Sequence, residues 1–213
     1  MAAPATYDYL RDPEAIYKAS FEIVRAEADL SHLPADLANV AVRLIHACGM
    51  TDLPQDLVWG GDPVTAGQTA LQAGAPVLTD VTMVRHGIIT DLLPAKNRIV
   101  CTLNEPDIAG LAQSRIDTRS AIAVEKWPPI LGGAVVCIGN APTALFRLLE
   151  LLADGAPRPA VILGFPVGFV GAAESKQALI DADLDIPFIT LTGRRGGSAI
   201  AAAAVNGLMR KST

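Results

Sequence analysis

The chain has few of the side chains that hold metal ions or form disulfide bonds. It contains only three cysteines and three histidines among its 213 residues. Cys48, Cys101 and Cys137 are far apart and odd in number, and no metal-ligand spacing links them to one another or to a histidine. We expect three buried, reduced thiols, because free cysteine commonly behaves as a small core hydrophobe. The pattern predicts no metal site.

Positive charge and long apolar runs are also scarce. The formal net charge is -5, from 17 basic and 22 acidic residues, and no basic stripe is present. This balance argues against a nucleic acid or an anionic membrane as partner. No run approaches the roughly 18 apolar residues that a membrane span requires, and residues 1–11 lack the order of a secretory signal. We therefore expect a cytoplasmic protein.

Motifs of several common enzyme classes are missing. All three histidines precede residue 90 and no G-x-S-x-G is present, which argues against a nucleophilic hydrolase. Gly164, Gly168 and Gly171 do not have the G-x-G-x-x-G spacing, and the next predicted strand does not end in an acidic residue. A nucleotide-dependent enzyme of the Rossmann type is therefore disfavoured.

The C-terminal half contains three apolar runs, each followed by a Gly- or Asn-containing turn and a helical pattern. The runs are 134–139, 160–164 and 187–192, and the helices are predicted over 144–153, 172–179 and 199–209. Such alternation implies right-handed crossovers and a parallel sheet flanked by helices. With 51% hydrophobic residues, the length fits a single α/β domain over 1–213, with a mostly parallel sheet and helices on both faces. Residues 210–213 are expected to fray.

The turn 193–198 combines two guanidinium groups, Arg194 and Arg195, with three glycines. Turns at the carboxyl ends of parallel strands collect free backbone N–H groups, and guanidinium groups bind carboxylates in bidentate fashion. The turn therefore suits the binding of anionic groups. The alternative is a basic turn on the surface.

A first helix is predicted from Asp12-Pro13-Glu14 to about Ala28, because Asp caps, Pro suits the first turn and Glu complements the helix dipole. Its apolar face is formed by Ile16, Ala19, Ile23 and Val24. Ser20 falls within that face. Its hydroxyl either bonds back to a carbonyl of its own helix or points into a polar cleft.

A second helix is predicted from about Pro34 to Gly49, a residue suited to a left-handed C-terminal cap. One polar stripe contains Asp36, Asn39, Arg43 and His46. His46 is in the last turn, where the partial negative charge of the helix end stabilises an imidazolium. It is either a general acid or a surface histidine that only complements the helix dipole.

The middle of the chain is less regular. Strands are predicted over 77–80 and 98–103, and a helix over 118–127, capped by Asp117. Arg119 is in the first turn of that helix, where a cation opposes the dipole. This placement indicates a carboxylate ligand, although a guanidinium turned to solvent is the alternative.

Several segments in order carry a likeness to a known family. They are Tyr9–Arg11 with 15–17 and 20–21, 43–49 (RLIHACG), 117–120 (DTRS), 138–149 (IGNAPTALFRLL), 163–176 (LGFPVGFVGAAESK) and 193–199. Through them the chain resembles, from end to end, the precorrin-8X methylmutase family of cobalamin biosynthesis.

The resemblance implies an isomerase that moves a methyl group from C-11 to C-12 of precorrin-8X and gives hydrogenobyrinate. It also implies an α/β fold that forms a homodimer and binds its tetrapyrrole near the subunit interface. In the family, the histidine that matches His46 is the catalytic proton donor. The matches to Ser20 and Arg119 belong to the substrate site, and we extend this expectation to Asn140, Arg194 and Arg195.

An intramolecular 1,5-sigmatropic shift would explain why such an enzyme requires no methyl donor, metal or redox cofactor, and one positioned acid would lower its barrier. A non-catalytic corrinoid carrier remains an alternative. So does the isomerase that acts on cobalt-precorrin-8. His86 either packs at a helix end or bears on the choice between a metal-free and a cobalt-containing substrate.

Overall fold

The computed structural model describes residues 7–209 and contains one six-stranded sheet with helices packed on both faces. Residues 1–6 and 210–213 of the predicted domain, including the end that was expected to fray, lie outside the described residues. The strand order is β1-β6-β5-β4-β2-β3. Only β1 runs antiparallel to its neighbour, so the prediction of a mostly parallel sheet is confirmed.

The strands are short. They are β1 Leu57–Gly60, β2 Val77–Thr79, β3 Ile99–Val100, β4 Val135–Ile138, β5 Val161–Gly164 and β6 Phe188–Leu191. The helices are α1 Pro13–Glu27, α2 Ala35–Cys48, α3 Pro63–Gln72, α4 Thr82–Gly87, α5 Ile108–Arg115, α6 Arg119–Val124, α7 Pro128–Leu131, α8 Pro142–Ala153, α9 Ala172–Asp181 and α10 Ser198–Met209. Two 3-10 helices cover Leu53–Asp56 and Thr90–Leu92.

Alternate side chains of the central strands enter two separate hydrophobic cores. Val135 and Cys137 of β4 pack into the core that includes α1, α2, α3 and α10, whereas Val136 and Ile138 pack into the core with α6–α9. Successive strand residues point to opposite faces of a sheet, so an apolar strand can hold helices on both sides. Burying each such aliphatic side chain contributes about 1.5–3 kcal/mol. Helices on both faces, as predicted, follow from this alternation.

The predicted ends of the first two helices are confirmed. The Asp12 carboxylate accepts the Glu14 backbone N–H at 3.1 Å, and α1 ends with Ala28 at its C-cap. The second helix ends at Gly49, which adopts a left-handed conformation with φ of 71°. A residue with a Cβ would be disfavoured there, which explains why the helix stops at a glycine.

The predicted apolar face of α1 is not a core face. Val24 is buried, whereas Ile16 is 44% exposed and Ile23 is 55% exposed. The helix packs mainly on α2 at the border of the molecule, so one helical neighbour covers only part of its surface. Periodicity identified the apolar residues correctly but could not show how many elements would pack against them.

Two boundaries in the middle of the chain were predicted wrongly. Helix α6 is capped by Thr118, whose hydroxyl accepts the Ala121 N–H. The Asp117 carboxylate accepts the Thr118 N–H instead, one residue before the helix. Strand β3 is much shorter than 98–103, since the Thr102 hydroxyl bonds the Ala123 carbonyl and takes the chain away from the sheet. Strand β1 and helices α3 and α5 were not predicted.

The three cysteines are free, but only Cys137 is buried, whereas Cys48 and Cys101 are half-buried. Burial raises the pKa of the Cys137 thiol well above its ordinary value. Within residues 7–209, no group of three or more His, Cys, Asp or Glu side chains is arranged to hold a metal ion. In the same range, no helix is both long and apolar enough to cross a membrane.

Gly139, at the carboxyl end of β4, lies against α10. A Cβ at this position would be 2.7 Å from the Ala201 Cβ and 2.9 Å from the Ser198 Cα. We predict that Gly139→Ala lowers the free energy of unfolding by about 1–3 kcal/mol, because the Ala201 methyl group and the Ser198 Cα are fixed to α10 and cannot rotate away. Urea denaturation would measure the change.

Gly110 in α5 provides the matched control, because no heavy atom lies within 4 Å of the position its Cβ would occupy. We expect Gly110→Ala to raise the free energy of unfolding by about 0.5–1 kcal/mol, since alanine is the better helix former. Equal effects of the two substitutions would contradict the packing at Gly139.

Candidate active site

His46 and Ser20 are in direct contact between the first two helices. The Ser20 Oγ lies 2.8 Å from Nδ1 of His46. The rings of Tyr17 and Phe21 pack around the imidazole, with centroids 5.4 and 5.1 Å away. Of the two alternatives for Ser20, the structure therefore shows a hydroxyl that points across to a polar group on α2. The contact holds the imidazole plane in one orientation.

His46 lines an open cavity of about 230 Å³. Its walls come from α1, α2, the end of α4 and α10. They are formed by Tyr17, Arg43, His46, Ala47, Gly87, Ile89, Ala199, Ala202, Ala203 and Asn206. The small alanines of α10 leave the space open, and the Arg43 guanidinium stacks on Phe21 at 4.4 Å. The site is thus apolar with a few polar groups on one wall.

The two ring nitrogens of His46 have different environments. The Ser20 hydroxyl forms a hydrogen bond with Nδ1. Among the described residues, no side chain or backbone group forms a hydrogen bond with Nε2. When Nδ1 carries a proton and donates it to the Ser20 hydroxyl, Nε2 is the nitrogen that exchanges protons with a bound molecule. This geometry is that of a general acid or base with a fixed ring.

Arg119 is held in the first turn of α6 by groups that follow β3. Its Nη2 donates to the Leu103 carbonyl at 3.1 Å and to the Asn104 Oδ1 at 2.8 Å. The Asn104 amide in turn donates to the Thr82 hydroxyl, just beyond β2. Only Nη2 makes these bonds, so the other N–H groups of the exposed guanidinium are free to meet an anion.

Asn140 lies in the turn between β4 and α8, and a buried carboxylate fixes this turn. Asp80, 1% exposed, accepts the backbone N–H groups of Gly139, Asn140 and Ala141 at 3.0, 2.9 and 2.8 Å. Burial raises the pKa of the Asp80 carboxyl, and the three N–H donors oppose that shift. The side chain of Asn140 is left exposed at the edge of the sheet.

The two arginines of the turn 193–198 have different surroundings. The Arg195 guanidinium bonds Asp52 at 2.6 Å and lies 3.4 Å from Asp56, which ties the turn to the 3-10 helix after α2. These pairs raise the pKa of Arg195 and lower that of Asp52. Arg194 lies over the ring of Phe169 at 5.2 Å and has no carboxylate partner among residues 7–209. Arg194 is therefore the cation available to a ligand.

Apart from the contact between Ser20 and His46, the predicted site residues are spread along one edge of the sheet. Arg119 is near the ends of β2 and β3, Asn140 follows β4, and Arg194 follows β6. Neighbouring strands are about 4.8 Å apart, so β6 and β2, three positions apart in the sheet, are separated by about 14 Å. The end of α2 that carries His46 lies near the same edge, because Cys48 in its last turn interacts electrostatically with Arg195.

Four residues near this edge were not recognised as site residues from the sequence. Asp80 and Lys176 are buried charges below the turns. Phe169 and Val170 are exposed apolar side chains of the turn 165–171, and Phe169 lies under the Arg194 guanidinium. Asp80 was missed because a single acidic residue after a strand does not indicate a site. Lys176 was missed because a lysine in a helix is usually exposed to solvent. Phe169 and Val170 are 83% and 89% exposed, which is unusual for apolar side chains and indicates a contact surface.

Comparisons with known proteins identify the family of this chain. The family model described as precorrin-8X methylmutase matches residues 15–211. A precorrin-8X methylmutase from Pseudomonas aeruginosa is 57% identical over 94% of this chain and 97% of its own length. A cobalt-precorrin-8 methylmutase from Priestia megaterium is 34% identical over 92% of this chain and 87% of its own. A crystal structure of the precorrin-8X methylmutase from Thermus thermophilus superposes with a TM-score of 0.83 at 37% identity, covering 92% of this chain and 94% of that one.

Proposed function

The chain belongs to the precorrin-8X methylmutase family and is an isomerase of cobalamin biosynthesis that shifts a methyl group; from this premise we propose the specific reaction. The substrate is precorrin-8X, the methyl group moves from C-11 to C-12, and the product is hydrogenobyrinate. A metal-free substrate is favoured because relatives named precorrin-8X methylmutase are 57% and 54% identical to this chain. The cobalt-precorrin-8 enzyme of Priestia megaterium is 34% identical.

The observation that carries the proposal is the orientation of His46. Ser20 holds Nδ1, and His46 is one of the residues that line the open cavity. In the proposed reaction Nε2 donates a proton to a ring nitrogen beside the migrating centre, which polarises the conjugated system. The C-11 to methyl bond breaks as the C-12 to methyl bond forms, and the proton then returns to His46. A positioned acid of this kind contributes about 10² to 10⁴ in rate.

The groups along the sheet edge would hold the macrocycle in register. Precorrin-8X carries acetate and propionate arms around its rim, so its carboxylates must be met at separated points. Arg119 and Arg194 offer guanidinium groups at two such points, and Asn140 offers an exposed amide between them. Arg195, neutralised by Asp52 and Asp56, supports the turn and makes no direct contact in this proposal.

A second copy of the chain would complete the site. The cavity of about 230 Å³ is smaller than the roughly 300–1,000 Å³ of ordinary ligand pockets, so most of the macrocycle would lie outside it. Helix α1, which carries Ser20, exposes Ile16 and Ile23, and the segment before it exposes Tyr7, Tyr9 and Leu10. Several exposed apolar side chains in one segment are typical of a protein interface. We propose a homodimer with the substrate close to its interface.

We predict that His46→Ala abolishes turnover while binding of hydrogenobyrinate changes little. The turnover number should fall by about 10² or more, because the general acid is lost. Binding should change little, because the groups proposed to bind the carboxylates remain. Anaerobic incubation with precorrin-8X, followed by absorption spectroscopy, measures the conversion.

His32→Ala is the matched control, because His32 is exposed and its hydrogen bond is to the Pro54 carbonyl, at 3.1 Å, away from Ser20 and His46. Its turnover should equal that of the unmodified chain. Normal turnover by His46→Ala would contradict the role of the acid. An unmodified chain that binds both tetrapyrroles without interconverting them would instead be a carrier.

We predict that Arg119→Ala weakens binding of hydrogenobyrinate by about tenfold to a hundredfold, since a charge-assisted hydrogen bond contributes about 1.5–3 kcal/mol. Absorbance titration gives the dissociation constant. Arg158→Ala serves as the control, because Arg158 is exposed in the connection between α8 and β5, at the opposite edge of the sheet. Equal dissociation constants for the two variants would remove Arg119 from the site.

If α1 lies in the proposed dimer interface, a charge on its exposed face should weaken association of the two subunits. Ile23→Asp should shift the chain toward the monomer in sedimentation equilibrium, because the charge would be desolvated in the interface. Gln177→Asp on the exposed side of α9 is the control and should leave the mass unchanged. A monomeric unmodified chain at micromolar concentration would rule out the dimer.

A further inference from the structure

Lys176 is a buried lysine directly beneath the turn 193–198. Its side chain is fully buried on α9, and its Nζ donates a hydrogen bond to the Arg195 carbonyl. Within residues 7–209 no carboxylate lies within ion-pair distance of Nζ. A buried ammonium without an anionic partner costs free energy and is rare in proteins. We therefore expect Lys176 to have a role other than stabilising the fold.

The turn that Lys176 contacts is also fixed by the neighbouring turn 165–171. The Gly197 N–H donates to the Phe165 carbonyl at 2.8 Å, and the Gly168 N–H donates to the Arg194 carbonyl at 3.4 Å. A Cβ on Gly196 would be 2.3 Å from the Phe165 oxygen, so the two turns are in close backbone contact. The hydrogen bond from Lys176 also meets the backbone of the turn 193–198, and its donor is charged, unlike the two backbone donors.

Lys176 bonds the Arg195 carbonyl, which belongs to the peptide between Arg195 and Gly196. The peptide that joins the two arginines is held by the Gly168 N–H, which donates to the Arg194 carbonyl. The Arg195 side chain is anchored by Asp52 and Asp56, so the direction of Arg194 depends on how the backbone on both sides of Arg195 is held. Arg194 lies over Phe169, which is itself on the neighbouring turn. A substitution of Lys176 would therefore change the orientation of the Arg194 guanidinium through the backbone of the turn, without a direct contact between the two side chains.

We propose that Lys176 is a positioning residue for the substrate. Its ammonium holds the turn 193–198 in the shape in which Arg194 meets a carboxylate arm of the tetrapyrrole. Its buried charge also adds to the positive potential at that point. The proposal rests on the proposed function, because it assigns Arg194 to a carboxylate of that substrate. Hydrogen bonds from an ionised donor are roughly twice as strong as neutral ones, which explains a lysine here in place of a neutral donor.

The charge of Lys176 changes in an accessible pH range. Burial lowers the pKa of Lys176 to about 8, and the nearby Asp56 carboxylate opposes the shift. Affinity for the tetrapyrrole should thus fall as pH rises through about 8. Stability should change in the opposite direction: between pH 8 and the ordinary lysine value of 10.5 the unfolded chain binds more protons, so the free energy of unfolding rises with pH.

The other charged groups near Lys176 are carboxylates and guanidinium groups, two types of group whose ordinary pKa values lie outside the range from about pH 7 to 9.5. They are Asp52, Asp56, Arg194 and Arg195 at the turn, Glu174 and Asp181 on α9, and Arg147 and Glu150, paired with each other on α8. Burial raises the pKa of the Cys48 thiol, the remaining group near Arg195. A pH effect that disappears when Lys176 is replaced therefore belongs to Lys176.

The test is a titration of hydrogenobyrinate into Lys176→Met, Arg194→Ala, the double variant and the unmodified chain. Methionine has a similar length and no charge, so Lys176→Met should weaken binding about tenfold while the free energy of unfolding stays equal or rises. The double variant should bind no more weakly than Arg194→Ala, because both changes remove one contact. Lys96→Met, at an exposed lysine before β3, is the control and should bind normally.

Unchanged affinity of Lys176→Met would overturn the inference, and so would a parallel fall of affinity and stability, which indicates a purely structural lysine. Should the variant not fold, the pH profile of the unmodified chain decides, and a constant affinity from about pH 7 to 9.5 would contradict the proposal. An unmodified chain that neither binds hydrogenobyrinate nor converts precorrin-8X overturns the proposed function as well. Conversion by the unmodified chain with normal binding by Lys176→Met overturns the role of Lys176 alone.

Discussion

The parallel alignment of five strands is the constraint on which the rest of the structure depends. Strands that run in the same direction end at the same edge of the sheet, so the turns after them and the following helices begin side by side. Residues distant in sequence, such as Arg119, Asn140 and Arg194, therefore come to one edge. The antiparallel strand β1 adds area next to β6 without changing this edge.

Buried charges give these turns their shapes. The Asp80 carboxylate accepts three backbone N–H groups of the turn after β4, and the Lys176 ammonium donates to the carbonyl of the turn after β6. Arg195 adds an ion pair at the surface. Each of these side chains bonds backbone or another charged group, so the turns are held rigidly while the groups proposed to meet the substrate stay exposed. Rigid placement of this kind reduces the cost of aligning a substrate.

The contact between Ser20 and His46 is built in a different way, from two packed helices. Ser20 is on α1 and His46 on α2, and their hydrogen bond spans 26 positions of the sequence. Helix α1 is poorly covered by the rest of the chain, which leaves its apolar residues and the nearby cavity open. In the proposed dimer that opening accommodates the macrocycle, so the same exposed surface serves assembly and substrate binding.

Much of the fold could be predicted because its signals are local. The apolar runs at 134–139, 160–164 and 187–192 became β4, β5 and β6, and Gly49 ended α2 as expected. Strand β1 was missed because it depends on pairing with β6, far along the chain. The Thr118 cap was misplaced by one residue, since Asp117 and Thr118 are both good caps and their competition is decided by geometry.

The sequence by itself determined the family, the α/β architecture and the residue types of the site, because apolar periodicity, turn residues and extended motifs are written along the chain. Only the tertiary structure decided which of these residues meet. It separated Arg194 from the ion-paired Arg195, brought Ser20 to Nδ1 of His46, and revealed Asp80 and Lys176 below the turns. The physical reason is that burial and hydrogen-bond partners depend on contacts between distant segments, which local sequence patterns do not encode.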